Sequence, residues 1–294
     1  MMIRLSRVTA ALAVGAVVLG SAPRAQAQNE EWTRPFPPFK IIGNIYWVGS
    51  YDLSTYLITT PQGHILINTG VGDTAQKIKA GVEQLGFKMS DVKVILNSHG
   101  HYDHAGGIAE LQKLSGAKVI ASDIAAKVLR TGKLDRSDPQ FNIIKPFPAV
   151  KNVEALGARG SVEVGKLKLR VIHTPGHTPG GTSWTWTSCE AERCLNVVYG
   201  DSLNAVSDDS FKYSGDPRYP NAGSDMTASI AAISAAPCDI LISAHPDFTG
   251  LLTLIDEQGK GDRSQLIDSS GCKRYAATGK ERFEKRLEQE AIGH

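Results

Sequence analysis

The sequence predicts an α+β protein made of two mixed β-sheets packed face to face, with helices on the outside. Two observations carry this. Each half of the chain lays out short strands and then a helix, and nothing between Ile41 and His245 has the composition of a flexible linker. No short repeat period is present, so the layout reads as a duplicated half and not as a solenoid. With 41% hydrophobic and 21% charged residues in 294, the chain has a globular composition, which excludes disorder, collagen and coiled coil as its main plan.

In the first half, β-branched and aromatic residues cluster at Ile41–Val48, Thr55–Thr60 and His64–Asn68, with turn signals such as Pro61-Gln62-Gly63 between them. A helix is expected over Thr74–Leu85, with Ile78, Val82 and Leu85 on one face and Gly86 ending it. The run Val92–Leu96 reads as a buried strand, followed by a helix over about Ala105–Leu114 and a strand at Lys118–Ala121. Arg130–Asn152 is polar and proline-punctuated and reads mostly as loop; long loops in compact domains are usually functional. The second half offers strands at Ser161–Val164, Lys166–Ile172, Thr182–Thr187, Leu195–Tyr199 and Asp239–Ser243, with a helix near Asp225–Ala235.

The N-terminus reads as a secretory signal over residues 1–27. Arg4 and Arg7 precede the apolar run Val8–Ala22, and Ala25-Gln26-Ala27 forms a small-x-small cleavage site. Pro23 and Arg24 close the run too early for a membrane span, which needs about 20 residues. Removal leaves one domain, residues 28–294, and takes away Arg4, Arg7 and Arg24. The remaining 29 basic and 30 acidic side chains nearly cancel. This balance gives no electrostatic case for a nucleic-acid partner or, after cleavage, for a membrane. The expected product is exported, periplasmic in a Gram-negative host, and monomeric.

Cys189, Cys194, Cys238 and Cys272 all follow the signal, and four thiols allow three pairings. Cys189 and Cys194 flank a short polar segment suited to a hairpin tip, so the simplest pairing joins these two and leaves Cys238 with Cys272. Neither pair has the two-residue spacing of a zinc knuckle, and an oxidising compartment favours bridges.

The chemistry is concentrated in Ser98-His99-Gly100-His101-Tyr102-Asp103-His104, just past the strand ending at Leu96. In extended chain His99 and His101 project to the same side, whereas Asp103 and His104 come after the turn into a helix and approach a different point. An isolated histidine after a strand is more often a satisfied core or surface residue, but three imidazoles and a carboxylate so close have little packing reason to gather. Two further histidines would complete two sets of three. His177 stands in the stiff loop Thr174-Pro175-Gly176-His177-Thr178-Pro179-Gly180, and His245 sits just past a strand, before Pro246. His173 is given no role, and His64 and His294 are read as ordinary surface residues.

These residues resemble the metallo-β-lactamase superfamily, whose signature His-x-His-x-Asp-His stands here as His99–His104. Subclass B3 is matched in Trp32 with Pro35, Pro37 and Phe39, in Gly43–Gly49, in Thr174–Gly180, in Asp201-Ser202-Leu203-Asn204 and in Pro217-Arg218-Tyr219-Pro220. The resemblance implies an αββα sandwich and two zinc ions, the first held by His99, His101 and His177 and the second by Asp103, His104 and His245. It places Ser202 where another subclass has a cysteine ligand, and it matches the Cys238–Cys272 pair to a bridge of the subclass. The implied activity is opening of the lactam ring of penicillins, cephalosporins and carbapenems, small-molecule substrates, by a zinc-bound hydroxide that Asp103 orients, conferring antibiotic resistance.

Ser202 and Asn204 are the candidates for placing the substrate carboxylate; some members have Ser or Thr where Asn204 stands. Some use a Tyr to support the oxyanion, and counting back from Pro217 puts Phe211 there, with Tyr213 two residues on. Two rival readings remain. A glyoxalase II-like thioesterase or a lactonase of the same fold would use the Asp of Gly200-Asp201 to bridge its metals. A zinc carrier would saturate its coordination instead of leaving room for solvent.

Overall fold

The computed structural model describes residues 30–255 and 260–293. The expected signal over residues 1–27 and the histidine at 294 lie outside the described residues. Strands β1 (Phe39–Ile42), β2 (Ile45–Trp47), β3 (Tyr56–Thr60), β4 (Gly63–Ile67), β5 (Val92–Leu96), β6 (Lys118–Ala121) and β7 (Val153–Ala155) lie in sequence order in one seven-stranded sheet. It is antiparallel from β1 to β4 and parallel from β4 to β7. The second sheet holds β8 (Ser161–Val164), β9 (Leu167–His173), β10 (Thr182–Glu190), β11 (Arg193–Gly200) and β12 (Ile240–Ser243), in the order β12-β11-β10-β9-β8. Only β11–β12 is parallel there. Tight turns join β1–β2, β3–β4, β8–β9 and β10–β11, longer loops join β2–β3 and β9–β10, and the parallel pairs need crossovers, usually helical. The helices are α1 (Glu30–Thr33), α2 (Ala75–Gln84), α3 (Tyr102–Ala105), α4 (Ile108–Ser115), α5 (Asp123–Thr131), α6 (Ala222–Ala235), α7 (Leu251–Leu254) and α8 (Gly271–Ala291).

Alternation along the strands builds the four layers. Ile65, Ile67, Val94 and Leu96 face Trp184, Trp186, Val197 and Tyr199 in the core between the sheets. Their neighbours Leu66 and Ile95 point the other way, onto Ile78 and Val82 of α2, Ile108 and Leu111 of α4, and Leu129 of α5. On the second sheet Val198 packs with Met226 and Ile233 of α6 and Tyr275 and Phe283 of α8. A strand covered on both faces thus reads as an unbroken apolar run, as Ile65–Ile67 does. The expected two-sheet sandwich with outer helices is the fold observed.

The differences are local. Ile41–Val48 is two strands, because Gly43 takes φ +51° and turns the chain between β1 and β2; a side chain there would also meet Ser188 Oγ. The helix expected from Ala105 starts earlier, at Tyr102, and is divided at Gly106-Gly107. A Cβ on Gly106 would lie 2.7 Å from the Gly72 nitrogen, so this approach of two loops requires glycine. The loop expected from Arg130 begins inside α5, a helix with its own signals: Ser122 caps it by accepting from the Ala125 N–H, and Gly132 follows it at φ +68°. His64 is buried with its ring edge-on to Phe87 at 5.1 Å, not a surface residue; the register of β4 turns it inward under the loop after α2.

Both disulfides form. Cys189 and Cys194 are directly opposed residues of β10 and β11, and Cys238, just before β12, is bonded to Cys272 in the first turn of α8. At the other end of α8, buried Glu290 accepts from the Tyr213 and Ser214 N–H groups at 2.8 Å each and from Arg286 Nε at 2.6 Å. Burial raises this carboxyl, but those donors outweigh it and hold its pKa below the ordinary value near 4.5.

Replacing Cys238 and Cys272 together with alanine is expected to cost about 3–4 kcal/mol, the loop entropy returned to the unfolded chain across 34 residues; a denaturant midpoint equal to that of the oxidised parent would refute this. Glu290→Gln is expected to cost about 1–3 kcal/mol at neutral pH. Because the native carboxyl is depressed, its stabilisation is present above the unfolded value and is lost as pH falls through the native one. Urea titrations of both proteins should therefore differ at pH 7 and converge in acid; a gap independent of pH would rule out the charge.

Candidate metal centre

The six candidates come from four places and meet at one end of the sandwich. His99 lies on the chain leaving β5, and His101 is the N-cap of α3 in extended conformation. Asp103 and His104 are on α3, so the turn into that helix separates the two pairs. His177 comes from the loop between β9 and β10, and His245 follows β12. The β5 exit is fixed by Asn68, which accepts from Ser98 N at 2.9 Å and donates to Ser98 Oγ and to the Tyr199 hydroxyl.

Two sets of three result. In each of His99/His101/His177 and Asp103/His104/His245, one donor atom per residue lies within 4.8 Å of the other two. The His99 and His104 rings, 4.4 Å apart, join the sets. His104 Nε2 and His245 Nε2 face the same Asp103 oxygen, Oδ2, at 3.1 and 3.4 Å.

What aims the imidazoles is the partner of the other ring nitrogen. His99 Nδ1 is bound to Asp201 Oδ1 at 2.7 Å, His101 Nε2 to the Asp138 carboxylate at 3.1 and 3.2 Å, His177 Nδ1 to the Asn204 carbonyl at 2.8 Å and His245 Nδ1 to the Asp52 carbonyl at 3.1 Å. A carboxylate or carbonyl on the outer nitrogen fixes the tautomer and makes the inner nitrogen a better ligand. The inner His99 Nε2 is buried with no hydrogen-bond partner among the described residues. Such a group costs about 1–3 kcal/mol if nothing binds it. His104 Nδ1 is buried and unpartnered too, although it is the outer atom of its ring. The inner donors are imidazole nitrogens and one carboxylate, a set that fits a transition ion such as zinc.

Charge states agree with this. Burial, and then the neighbouring imidazoles His99 and His101, push His177 down to about 3. Burial likewise lowers His104 to about 4. Both are therefore neutral, with a lone pair to give. Burial also works against charge on His101 and His245, but Asp138 and Asp103 respectively outweigh it and their pKa values rise. Asp103 stays well below the usual carboxylate range because His104 and His245 overcome its burial, and Asp201, overcoming its own burial against His99, falls to about 2.

Asp201 stands behind His99, outside both sets, with its main chain tied to Ser183 Oγ and the Tyr275 hydroxyl. Ser202 is buried, and its Oγ accepts from Asn204 N at 3.4 Å. Asn204 meets the site through its carbonyl on His177, while its Oδ1 accepts from Arg282. Phe211 and Tyr213 are packed with α6 and α8, and the Tyr213 hydroxyl donates to the Val206 carbonyl. His173 is exposed at the end of β9. Sequence reading missed Asp138, the Asp52 carbonyl and Gln140, whose amide lies 3.4 Å from His177 Nε2. The one signal for Asp138 and Gln140 was their place in a long polar loop.

Fold and donor sets together define a metal-dependent hydrolase. The chain belongs to the metallo-beta-lactamase superfamily: the family profile of that description matches residues 51–190. It is 46% identical to MEM-A1, a subclass B3 metallo-beta-lactamase isolated from a soil metagenome library, over 90% of this chain and 100% of that one, with a TM-score of 0.86. To the metallo-beta-lactamase SMB-1 it is 42% identical over 88% of this chain and 99% of that one, with a TM-score of 0.84. Among curated relatives, the hydroxyacylglutathione hydrolase of Rhodospirillum rubrum is 27% identical over 66% of this chain and 64% of its own length. The chain spans between 40% and 64% of the length of the first curated relatives it matches.

Asp138→Asn keeps the shape of the side chain but removes the charge behind His101. Zinc competition against a chromophoric chelator should read an affinity weakened roughly 10- to 100-fold with the far-UV CD spectrum unchanged; undiminished affinity would mean that Asp138 does not support a ligand.

Proposed function

We propose that this protein is a zinc-dependent β-lactamase, exported through residues 1–27 to the periplasm as a monomeric domain of residues 28–294, and that it confers resistance to penicillins, cephalosporins and carbapenems. The observation that carries this reading is the similarity to subclass B3 structures at 42–46% identity over nearly the whole chain. In this reading His99, His101 and His177 hold one zinc, and Asp103, His104 and His245 hold a second. Zinc, when bound, supplies Lewis acidity and makes a nucleophile of water near neutral pH.

The residues of the chain do the rest. Asp103, ionised at any working pH, accepts a hydrogen bond from the attacking water and orients it toward the lactam carbonyl. Asp201, Asp138 and the Asn204 and Asp52 carbonyls keep four imidazoles in position through the reaction. Phe211 has no hydrogen to donate, and the Tyr213 hydroxyl is turned to Val206, so neither supports the oxyanion. Ser202 and Asn204 lie on the strand exit beside His177 and help place the substrate carboxylate.

A second reading, a glyoxalase II-like thioesterase, is favoured by the hydroxyacylglutathione hydrolases among the relatives. It requires Asp201 between the two ions. Asp201 Oδ1 is instead committed to the outer nitrogen of His99, which supports the lactamase reading.

Purified protein should hydrolyse a chromogenic cephalosporin, lose that activity to a chelator and regain it with added zinc. Turnover of thioesters with none of the cephalosporin would transfer the assignment to the second reading. Zinc uptake with no turnover of either would leave a carrier.

A further inference from the structure

We propose that Arg282 of α8 is a substrate-binding residue that receives the substrate's carboxylate at the mouth of the site, a role that rests on the β-lactam reading. Its position follows from contacts with both walls. Arg282 Nη1 donates to Asn204 Oδ1 at 2.7 Å, and the carbonyl of that same asparagine holds His177. On the other side the guanidinium carbon lies 5.6 Å from the Phe248 ring centroid, and the Phe248 ring lies 5.0 Å from that of His245. His177 and His245 belong to different sets of three. The guanidinium therefore lies on the α8 side between a residue that holds His177 and one that packs on His245.

It is also available. Arg274, Lys280, Lys285 and Arg286 of the same helix each pair with a carboxylate, but among the described residues no carboxylate lies within ion-pair distance of the exposed Arg282. It is held by a neutral acceptor and an aromatic face, which fix its place without cancelling its charge. Arginine only donates, so the oxygen of the Asn204 amide must be the atom facing it. That leaves the Asn204 NH2 group and the remaining guanidinium N–H groups as donors to an anion. Asp52, Asp103, Asp138, Asp201 and Asp247 border the ligands or their partners, and bound zinc would offset that charge at the centre, so Arg282 would add a positive charge on the α8 side. Penicillins and cephalosporins carry their carboxylate beside the lactam nitrogen, and a guanidinium on that side would pair with such a group and orient it.

The test uses the zinc-loaded protein, a chromogenic cephalosporin and the methyl ester of the same compound. Arg282→Ala and the neutral, hydrogen-bonding Arg282→Gln should each raise KM for the free acid about tenfold or more, as befits a charged hydrogen bond. Both should leave kcat, zinc content and KM for the ester within about twofold of the parent, and Arg282→Lys should recover part of the loss. Equal losses on acid and ester would reduce Arg282 to a structural role, and an unchanged KM for the acid would likewise overturn the proposal. If the parent hydrolyses neither compound, the β-lactam reading falls and takes this assignment with it; if it hydrolyses both and the variants do not discriminate, this assignment falls alone.

Discussion

The hydrogen bond from His99 Nδ1 to Asp201 Oδ1 joins the two sheets at the point where the site is made. His99 leaves the first sheet after β5, and Asp201 leaves the second after β11; both are fully buried. Asp201 is itself fixed by Ser183 of β10 and by the hydroxyl of Tyr275 on α8. The direction of one ring nitrogen thus depends on both sheets and an outer helix being docked. Asn68, Ser98 and Tyr199 repeat the arrangement one step deeper, where a side chain of the first sheet's exit bonds a tyrosine of the second. Such networks in low dielectric hold geometry tightly when their members are satisfied, and here the inner nitrogen of His99 and Asp201 Oδ2 are left without a partner among the described residues. The site is therefore a product of the sandwich as a whole and not of the His-rich segment alone.

Legibility from sequence followed how local the physical cause was. Val92–Leu96, Lys118–Ala121 and Ser161–Val164 were read with their observed ends, because a buried strand is an apolar run between turn signals. The His-x-His-x-Asp-His run also exposed its own logic, extended chain and then helix. Gly43, Gly106 and Gly107 divided elements that hydrophobicity alone would keep whole, since the need for glycine comes from distant backbone. α8 escaped notice although Cys272, Tyr275, Ala276, Gly279 and Phe283 have helical spacing, because its long charged surface resembles a solvated tail until the second sheet is there to cover. Asp138 had only its place in a long polar loop to mark it. Nothing else local marks a carboxylate that acts on a histidine 37 residues away.

Charge around the centre is arranged in two tiers. Inside, neutral His177 and His104 and ionised Asp103 face the ligand positions; outside, Asp201 and Asp138 sit behind His99 and His101. The outer carboxylates cost desolvation, and the largest counterweight for each is the imidazole it supports. Removing an imidazole would therefore strand a buried anion as well as remove a donor, which couples the two tiers more strongly than packing alone. It also leaves the region rich in negative charge, which favours a cation bound by the inner tier.

The family profile ends at residue 190, before Asp201, Ser202, Asn204, His245 and all of α6 and α8. It therefore covers His99, His101, Asp103, His104 and His177 of the candidate ligands, and none of the residues proposed above to contact substrate. Relatives with different substrates can share the first part, because two sets of three donors are useful to any hydrolysis of an acyl bond. In the reading proposed above, the later part would choose. There Asp201 is turned to the outer side of His99, the loop from Asn204 is fastened to α8 through Arg282, Arg286 and Glu290, and Cys238–Cys272 ties that helix to β12. Structural likeness to subclass B3 extends through this part, at 88–90% of the chain, whereas the Rhodospirillum rubrum hydrolase is matched over 66%. The argument for substrate class is accordingly strongest where the sequence signature is silent, in how one aspartate and one helix are placed around a common set of ligands.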